Sequence, residues 1–345
     1  MRSIGLLVLI ACSLAGCGAT SYTTGTDGGG ASVWRQLSAG TLAGKSAGEI
    51  HMAAGLGIIW LAWPDTTHAG KGVLWRHDGV SWSLCGGKPF SPGAVSSIAI
   101  LPDGTNAGWI YADGENAGRG VTMHCSGTNI ETPSGGQVSD GRMSTASADW
   151  HGGFPLAFFQ DSAVAGGAVV LRSFQDFSSW STRTGGSSGI ALFPTMAVQG
   201  ARYGLAWADS SVEYRLAAAY FDGSSLRNAG MGITGGPVEG LASVMTASFW
   251  CVAGQAKAQN VLAVWQHDFG NGGWNEMGGT VSAGIHDSIS MTADASGRPW
   301  VAARTRSGGD ALVVRRWNGT NWQSPPLVGL TVGSILGARL AKDAA

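Results

Sequence analysis

Short apolar segments alternate with glycine-rich polar turns along most of the chain, and the pattern recurs about every 47 residues. Each copy reads as a strand of small residues, a turn, a second apolar strand, a polar loop, a third strand, a turn and a fourth strand. Apolar runs of this length between turn residues are typical of β-strands. The clearest copy covers residues 288–323. We therefore expect four short strands in every repeat.

Two positions of the repeat recur in register. Large or small apolar residues mark the second strand at Trp60, Trp109, Pro155, Gly204, Cys251 and Trp300. The fourth strand begins at Trp34, Trp82, Ile130, Trp180, Leu226, Trp274 and Trp322. The two columns predict six complete copies of the repeat and indicate that most tryptophans pack between them.

Turn residues separate the third strand from the fourth. Asp78-Gly79, Ser126-Gly127, Asp222-Gly223 and Asn318-Gly319 occupy this place in four copies. Such dipeptides favour two-residue type I′ turns, in which both residues have positive φ. The third and fourth strands are therefore predicted to form hairpins.

Four-stranded units at this period predict an all-β protein with the β-propeller fold, because one blade cannot bury both of its faces alone. A solenoid is the alternative. Residues 32–40 read as a lone fourth strand and residues 333–340 as a lone first strand. The propeller is expected to contain six complete four-stranded blades, with or without a partial seventh blade formed by both termini.

One stretch carries a family resemblance. Residues 297–302 (GRPWVA), residues 316–319 (RWNG) and Trp322 resemble repeats of bacterial surface propellers. Their layout is similar to that of sialidase-like and fucose-lectin propellers. The resemblance covers residues 32–340 and implies the propeller fold.

The composition narrows the function classes. Charged residues make up 12% of the chain, hydrophobic residues make up 44%, and the net charge is −1. Such a chain buries an ordinary core and is not disordered. Because there is no basic excess, we expect no nucleic-acid partner.

The N-terminus has the pattern of an export signal. Met1, Arg2 and Ser3 precede an apolar run over residues 4–14, which is too short to span a bilayer. Residues 14–17 (LAGC) resemble the lipobox of bacterial lipoproteins, which implies lipidation of Cys17. An ordinary secretory signal with an incidental Cys is the alternative.

These features divide the chain into three parts. Residues 1–16 are expected to be a lipoprotein signal peptide, residues 17–31 a lipidated flexible tether, and residues 32–345 the β-propeller domain. The lipid on Cys17 makes the membrane a partner and places the protein in the bacterial cell envelope. In a Gram-negative host, Gly18 after the Cys favours the outer membrane.

The repeat register predicts the positions of two further cysteines. Cys85 is expected to end a fourth strand and Cys125 a third strand, in different blades. At about 3.3 Å per residue, that places them beyond the ~7 Å Cα separation that a disulfide bridges. Both are predicted to be unpaired.

A column of aspartates and one tryptophan are the candidate ligand-binding residues. The aspartates follow the second strands at intervals of 48 residues, and Asn or Asp there commonly opens a loop as an Asx-turn; a ligand or cation site is the alternative. Trp150 lies outside both apolar columns and is expected in a turn, where it would be free to contact a glycan. The aspartates are Asp65, Asp113, Asp161 and Asp209.

No motif predicts chemistry. The seven histidines are scattered, so no metal site is proposed, and no cofactor fingerprint or catalytic residue is identified. The chain is therefore interpreted as an envelope lipoprotein whose propeller binds a protein or a glycan. The alternative is a lipid-anchored propeller glycoside hydrolase or lyase of the sialidase-like kind.

Overall fold

The computed structural model describes residues 49–132, 136–164, 166–174, 180–185, 189–307, 309–325 and 338–341, and the backbone of three N-terminal strands. Strands joined by turns and by single turns of 3₁₀ helix make up these residues. In this part of the chain, no helix has the length and apolar character needed to cross a membrane.

The three N-terminal strands form an antiparallel sheet. They are β1 (Leu9–Ala11), β2 (Thr20–Thr26) and β3 (Ser32–Gln36). Strand β2 pairs with β3, which lies where a lone fourth strand was predicted. Strand β2 lies within the segment predicted to be a tether, and its β-branched threonines favour extended backbone.

Six antiparallel units of four strands follow within the described residues, and strand pairing joins the second and third units into one eight-stranded sheet. The first is β4 (His51–Gly55), β5 (Ile58–Asp65), β6 (Lys71–His77) and β7 (Trp82–Leu84). The second is β8 (Val95–Asp103), β9 (Asn106–Asp113), β10 (Arg119–Ser126) and β11 (Asn129–Glu131). The third is β12 (Gln137–His151), β13 (Phe154–Asp161), β14 (Ala168–Phe174) and β15 (Trp180–Gly185).

The remaining three units have the same order. The fourth is β16 (Ala191–Gln199), β17 (Arg202–Asp209), β18 (Arg215–Phe221) and β19 (Leu226–Gly230). The fifth is β20 (Val238–Met245), β21 (Phe249–Ala256), β22 (Val261–Asp268) and β23 (Trp274–Glu276), with β24 (Ser282–Ala283) also paired to β22. The sixth is β25 (His286–Ala293), β26 (Pro299–Thr305), β27 (Ala311–Trp317) and β28 (Trp322–Gln323).

Both columns that the repeat predicted fall on the expected strands, so the prediction of an all-β chain of four-stranded repeats is confirmed.

The predicted type I′ geometry of the turns between third and fourth strands is wrong. In the first unit, His77 pairs with Trp82, which leaves a four-residue loop in which Gly79 alone has positive φ. The Asp78 carboxylate accepts hydrogen bonds from the backbone N–H groups of Val80 and Ser81. This Asx cap replaces the type I′ geometry.

Five apolar clusters lie between successive units, and a sixth lies within the first unit. The cluster between the first and second units contains Trp60, Leu74, Trp109 and Ile98. Equivalent clusters join each later pair of neighbours. Each buried side chain of this size contributes about 1.5–3 kcal/mol relative to an exposed one. The units are therefore held together by the faces that each would expose alone.

The first strands of all six units line one central cavity of about 640 Å³. Residues 338–341 contact both the last and the first unit beside it. Leu340 N–H donates to Ser290 Oγ at 2.9 Å, and the Arg339 guanidinium forms an ion pair with Glu49. Ala341 packs in the apolar cluster of the first unit. The C-terminal segment thus connects the sixth unit to the first; residues 326–337, where most of the predicted lone strand lies, are outside the described residues.

Cys85 and Cys125 form a disulfide with Cα atoms 6.6 Å apart, so the prediction that both are unpaired is wrong. Cys85 does not continue the fourth strand but opens a 3₁₀ turn, Cys85–Gly87. Within this turn, Gly86 N–H donates to Thr128 O at 2.8 Å in the second unit. The turn therefore carries Cys85 to the neighbouring unit. Cys251 is a buried free thiol.

The disulfide occupies a position that aromatic rings fill elsewhere. Third and fourth strands meet through an aromatic pair in four units, whereas the second unit has Cys125 opposite Ile130. The ring centroids of these pairs lie 4.9–5.4 Å apart. The pairs are His77–Trp82, Phe174–Trp180, His267–Trp274 and Trp317–Trp322.

Candidate functional site

The four aspartates of the predicted column each end a second strand and are buried. Three of them cap the 3₁₀ turn that follows. Asp65 accepts from Thr67 N–H at 2.9 Å, Asp113 from Glu115 N–H at 3.2 Å, and Asp209 from Ser211 N–H at 2.9 Å. These are the hydrogen bonds that the Asx-turn interpretation predicts.

Two of the carboxylates also make bonds outside their own turn. Asp161 accepts from the N–H groups of Asp140 and Gly141 on the first strand of its unit, and from Ala163 in its loop. Asp209 accepts from the Trp207 indole N–H at 2.9 Å. Among the described residues, no group of three or more His, Cys, Asp or Glu is placed to hold a metal ion. The column therefore holds loops in place at four separate points.

Trp150 lies at the end of strand β12, paired with Pro155, and not in the turn where it was expected. Alternation along the strand points Trp150 toward the second unit, with Ala146 and Ala148 in the same apolar cluster. There it lines a cleft of about 330 Å³ between the second and third units. The structure thus brings Trp150 to a concave site, away from the aspartate column.

Aromatic rings form the wall of this cleft, which we call the Trp150 cleft. Phe174 and Trp180 stack at 5.2 Å with their planes 29° apart, and both line the cleft beside Trp150. The indole N–H groups of Trp150 and Trp180 are buried, and no described residue accepts a hydrogen bond from either. A buried donor without an acceptor is costly unless a ligand or water accepts from it.

Polar side chains of the second unit face the aromatic wall. Asp103 and Glu131 are exposed carboxylates, and His124 is half-buried. Neither carboxylate has an ion-pair partner among the residues that the structure describes. The cleft therefore offers flat apolar surface on one side and hydrogen-bond acceptors on the other.

Sequence reasoning identified Trp150 but missed its neighbours. Trp180 was assigned to the structural fourth-strand column, and Phe174 and Glu131 belong to no column. Cys17 lies outside the described residues, so its lipidation stays a prediction.

No family model matches the sequence, and no curated protein matches it. Solved structures of lectins do share its fold. SapL1 lectin in complex with alpha methyl fucoside superposes with a TM-score of 0.58 at 14% identity, covering 84% of this chain and 96% of the lectin. The fucose-specific lectin from Aleuria aurantia gives a TM-score of 0.51 at 16% identity, covering 82% and 96%.

A further structure of the Aleuria aurantia lectin, described as a six-bladed β-propeller with a novel fucose recognition mode, gives a TM-score of 0.53 at 15% identity. It covers 82% of this chain and 96% of the lectin. The chain has the β-propeller fold. At these identities the likeness extends to the fold alone, and at that level it agrees with the fucose-lectin layout inferred from the repeats.

Proposed function

We propose that this propeller binds carbohydrate, and that the Trp150 cleft is the binding site. The observation that carries the proposal is the pair of indoles, Trp150 and Trp180, which with Phe174 line an open cleft with flat apolar surface. Ligand sites in proteins combine such aromatic walls with a few polar groups. The lectin neighbours, two of which are described as fucose-specific or fucoside-bound, support this class of ligand.

A sugar matches both sides of the cleft. Its apolar C–H face packs on an indole, while its hydroxyl groups donate to the exposed carboxylates of Glu131 and Asp103. The volume of about 330 Å³ lies at the lower end of the range for small-molecule sites. A monosaccharide or the terminal residue of a glycan is therefore the proposed ligand, with fucose the first to test.

The proposal extends to the architecture and the location. The six units form six blades of a ring, and residues 338–341 lie between the last blade and the first as part of a partial seventh. Cys17 carries lipid that anchors the propeller in the bacterial cell envelope, at the outer membrane if the host is Gram-negative. Two or more acyl chains are enough for stable anchoring.

The alternative of a propeller glycoside hydrolase or lyase gains no support, because the structural neighbours are lectins.

Isothermal titration with methyl α-fucoside, beside a glycan array, tests the ligand. Wild-type protein should bind with 1:1 stoichiometry. Trp150→Ala should weaken binding by about tenfold or more, because aromatic anchors dominate such sites. Glu131→Gln should weaken it less. Glu276→Gln, which changes an exposed carboxylate on the fourth strand of another unit, is the matched control and should bind as wild type.

Equal binding by wild type and Trp150→Ala would place the site elsewhere. A blank array, together with capture of one envelope protein in pull-downs, would replace the glycan with a protein ligand.

Membrane fractionation tests the anchor. Cys17→Ala should move the protein from the membrane pellet to the soluble fraction without changing its binding to the glycan. Retention of the variant in the pellet would contradict anchoring through Cys17.

A further inference from the structure

The central cavity contains a second set of polar groups that the Trp150 cleft does not use. Strand β12 borders both sites, and its side chains alternate between its faces. Ala146, Ala148 and Trp150 pack in the apolar cluster shared with the second unit, and the two alanines also border the central cavity. Thr145, Ser147 and Asp149 share the opposite face, on which Ser147 bonds to the fourth unit, and all three line the central cavity. Neighbouring residues Asp149 and Trp150 therefore belong to two different sites.

The other acidic side chains of the cavity wall are neutralised by cations. Glu49 pairs with Arg339, Glu239 with Lys257 at 2.6 Å, and Asp287 with both Arg304 and Arg306. These three acids therefore leave no uncompensated negative charge on the wall. Its cationic side chains are used in these pairs, so the wall does not favour an anion.

Asp149 differs from these acids. Its carboxylate accepts a hydrogen bond from Trp150 N–H at 2.8 Å, and no described Lys, Arg or His forms an ion pair with it. Burial raises its pKa to about 6, the expected result for a carboxyl without a compensating cation. His51 also lines the cavity, but burial lowers its pKa to about 4, so it is neutral at pH 7.

Hydroxyl groups continue the same row. Ser147 Oγ accepts from Met196 N–H at 3.1 Å, which leaves its own proton and a lone pair available. Thr145 Oγ1 is buried and makes no hydrogen bond. On an extended strand the row from Thr145 to Asp149 spans about 13 Å. A carboxylate at one end and hydroxyls along the rest fit an elongated ligand.

We propose that the central cavity binds a small hydroxylated organic ammonium ion, with the ammonium on the Asp149 carboxylate and the hydroxyl groups on Ser147 and Thr145. The ammonium supplies the cation that Asp149 lacks, and a charge-assisted hydrogen bond there is stronger than a neutral one. A divalent metal fits poorly, because Ca²⁺ takes about six to eight oxygen ligands and this row contains one carboxylate. This site is independent of the sugar site in the Trp150 cleft.

Glucamine and sorbitol test the proposal, since these linear polyols differ only by an ammonium in place of one hydroxyl. In calorimetric or NMR titrations at pH 7, wild-type protein should bind glucamine at one site and sorbitol about tenfold or more weakly. Asp149→Asn should lose that preference. Thr145→Val should weaken glucamine binding a few-fold, and Glu276→Gln should leave it unchanged. Circular dichroism confirms that each variant is folded.

Three results would overturn the proposal: equal affinity for glucamine and sorbitol, unchanged glucamine affinity in Asp149→Asn, or no glucamine binding by the wild type. Fucoside binding by Asp149→Asn distinguishes the two sites. It should equal that of the wild type, whether or not the cavity binds glucamine.

Discussion

Removal of the Cys85–Cys125 disulfide gives the sharpest test of how the first two units are joined. The bond closes a loop with a sequence separation of 40 residues. The loss of loop-closure entropy from the unfolded chain predicts a stabilisation of about 4 kcal/mol for this length. Both residues are buried, so truncation to Ala removes packing worth about 1 kcal/mol in addition.

The double variant Cys85→Ala/Cys125→Ala should therefore unfold with a free energy about 4–5 kcal/mol below that of the wild type. The Tm should fall by roughly 8 °C or more, given about 2 °C per kcal/mol in a chain of this size. Either single variant should lose nearly as much, because each removes the same cross-link. Urea unfolding and calorimetry measure both quantities.

A reductant separates the cross-link from the packing. Dithiothreitol should lower the Tm of the wild type and of Cys251→Ala, which keeps the disulfide, but not that of the double variant. An unchanged wild-type Tm under reduction would refute the reasoning. So would alkylation of both thiols in folded protein that has not been reduced.

Three further predictions concern single positions. Asp209→Ala should cost about 2–3 kcal/mol in urea unfolding, because it leaves the Trp207 indole N–H and two groups of Ser211 without this acceptor, whereas Asp209→Asn should cost less. In Gly204→Ala, the new Cβ would lie 2.6 Å from Trp250 Cδ2, so the variant should lose about 1–3 kcal/mol of stability, seen as a lower Tm. Gly235→Ala, whose new Cβ would meet open space, should change the Tm little. Burial disfavours the ionised form of Asp149 in the folded state and so raises its pKa. The free energy of unfolding therefore falls as the pH rises through about 6. Asp149→Asn should thus be more stable than the wild type by up to about 3 kcal/mol near pH 8 and equal to it below about pH 4. The same difference in unfolding free energy at both pH values would show that Asp149 does not titrate in this way.

The positions of the strands could be predicted because the repeating pattern of apolar and turn residues is visible in the sequence itself. Trp60 and Trp109 fall at matching places in their sheets because both fill the space between neighbouring units. Gly204 occupies the same column for the opposite reason. The ring of Trp250 from the next unit already fills that space, so no side chain fits. A residue type that breaks the column therefore carries as much structural information as one that keeps it.

The disulfide and the cleft were not predictable by the same route. Gly86 and Gly87 adopt positive φ, which allows the chain to turn at once after Leu84 and carry Cys85 across to the next unit. The repeat register placed Cys85 at the end of the fourth strand. The cleft depends on which side chains of one unit face those of the next, such as Glu131 opposite Trp180. That relation is set by packing between units and leaves no periodic signal in the chain.

The ion pair between Glu49 and Arg339 has a consequence for chain connectivity, because it places the two ends of the repeat region side by side. A short peptide could join residue 341 to residue 49, and a new opening could be made at the exposed Asp78-Gly79 turn, as in a circular permutant. The contacts between successive units would be unchanged. The order in which the units are encoded is therefore one of several that would give the same assembly, and proteins could be fused at points other than the natural termini.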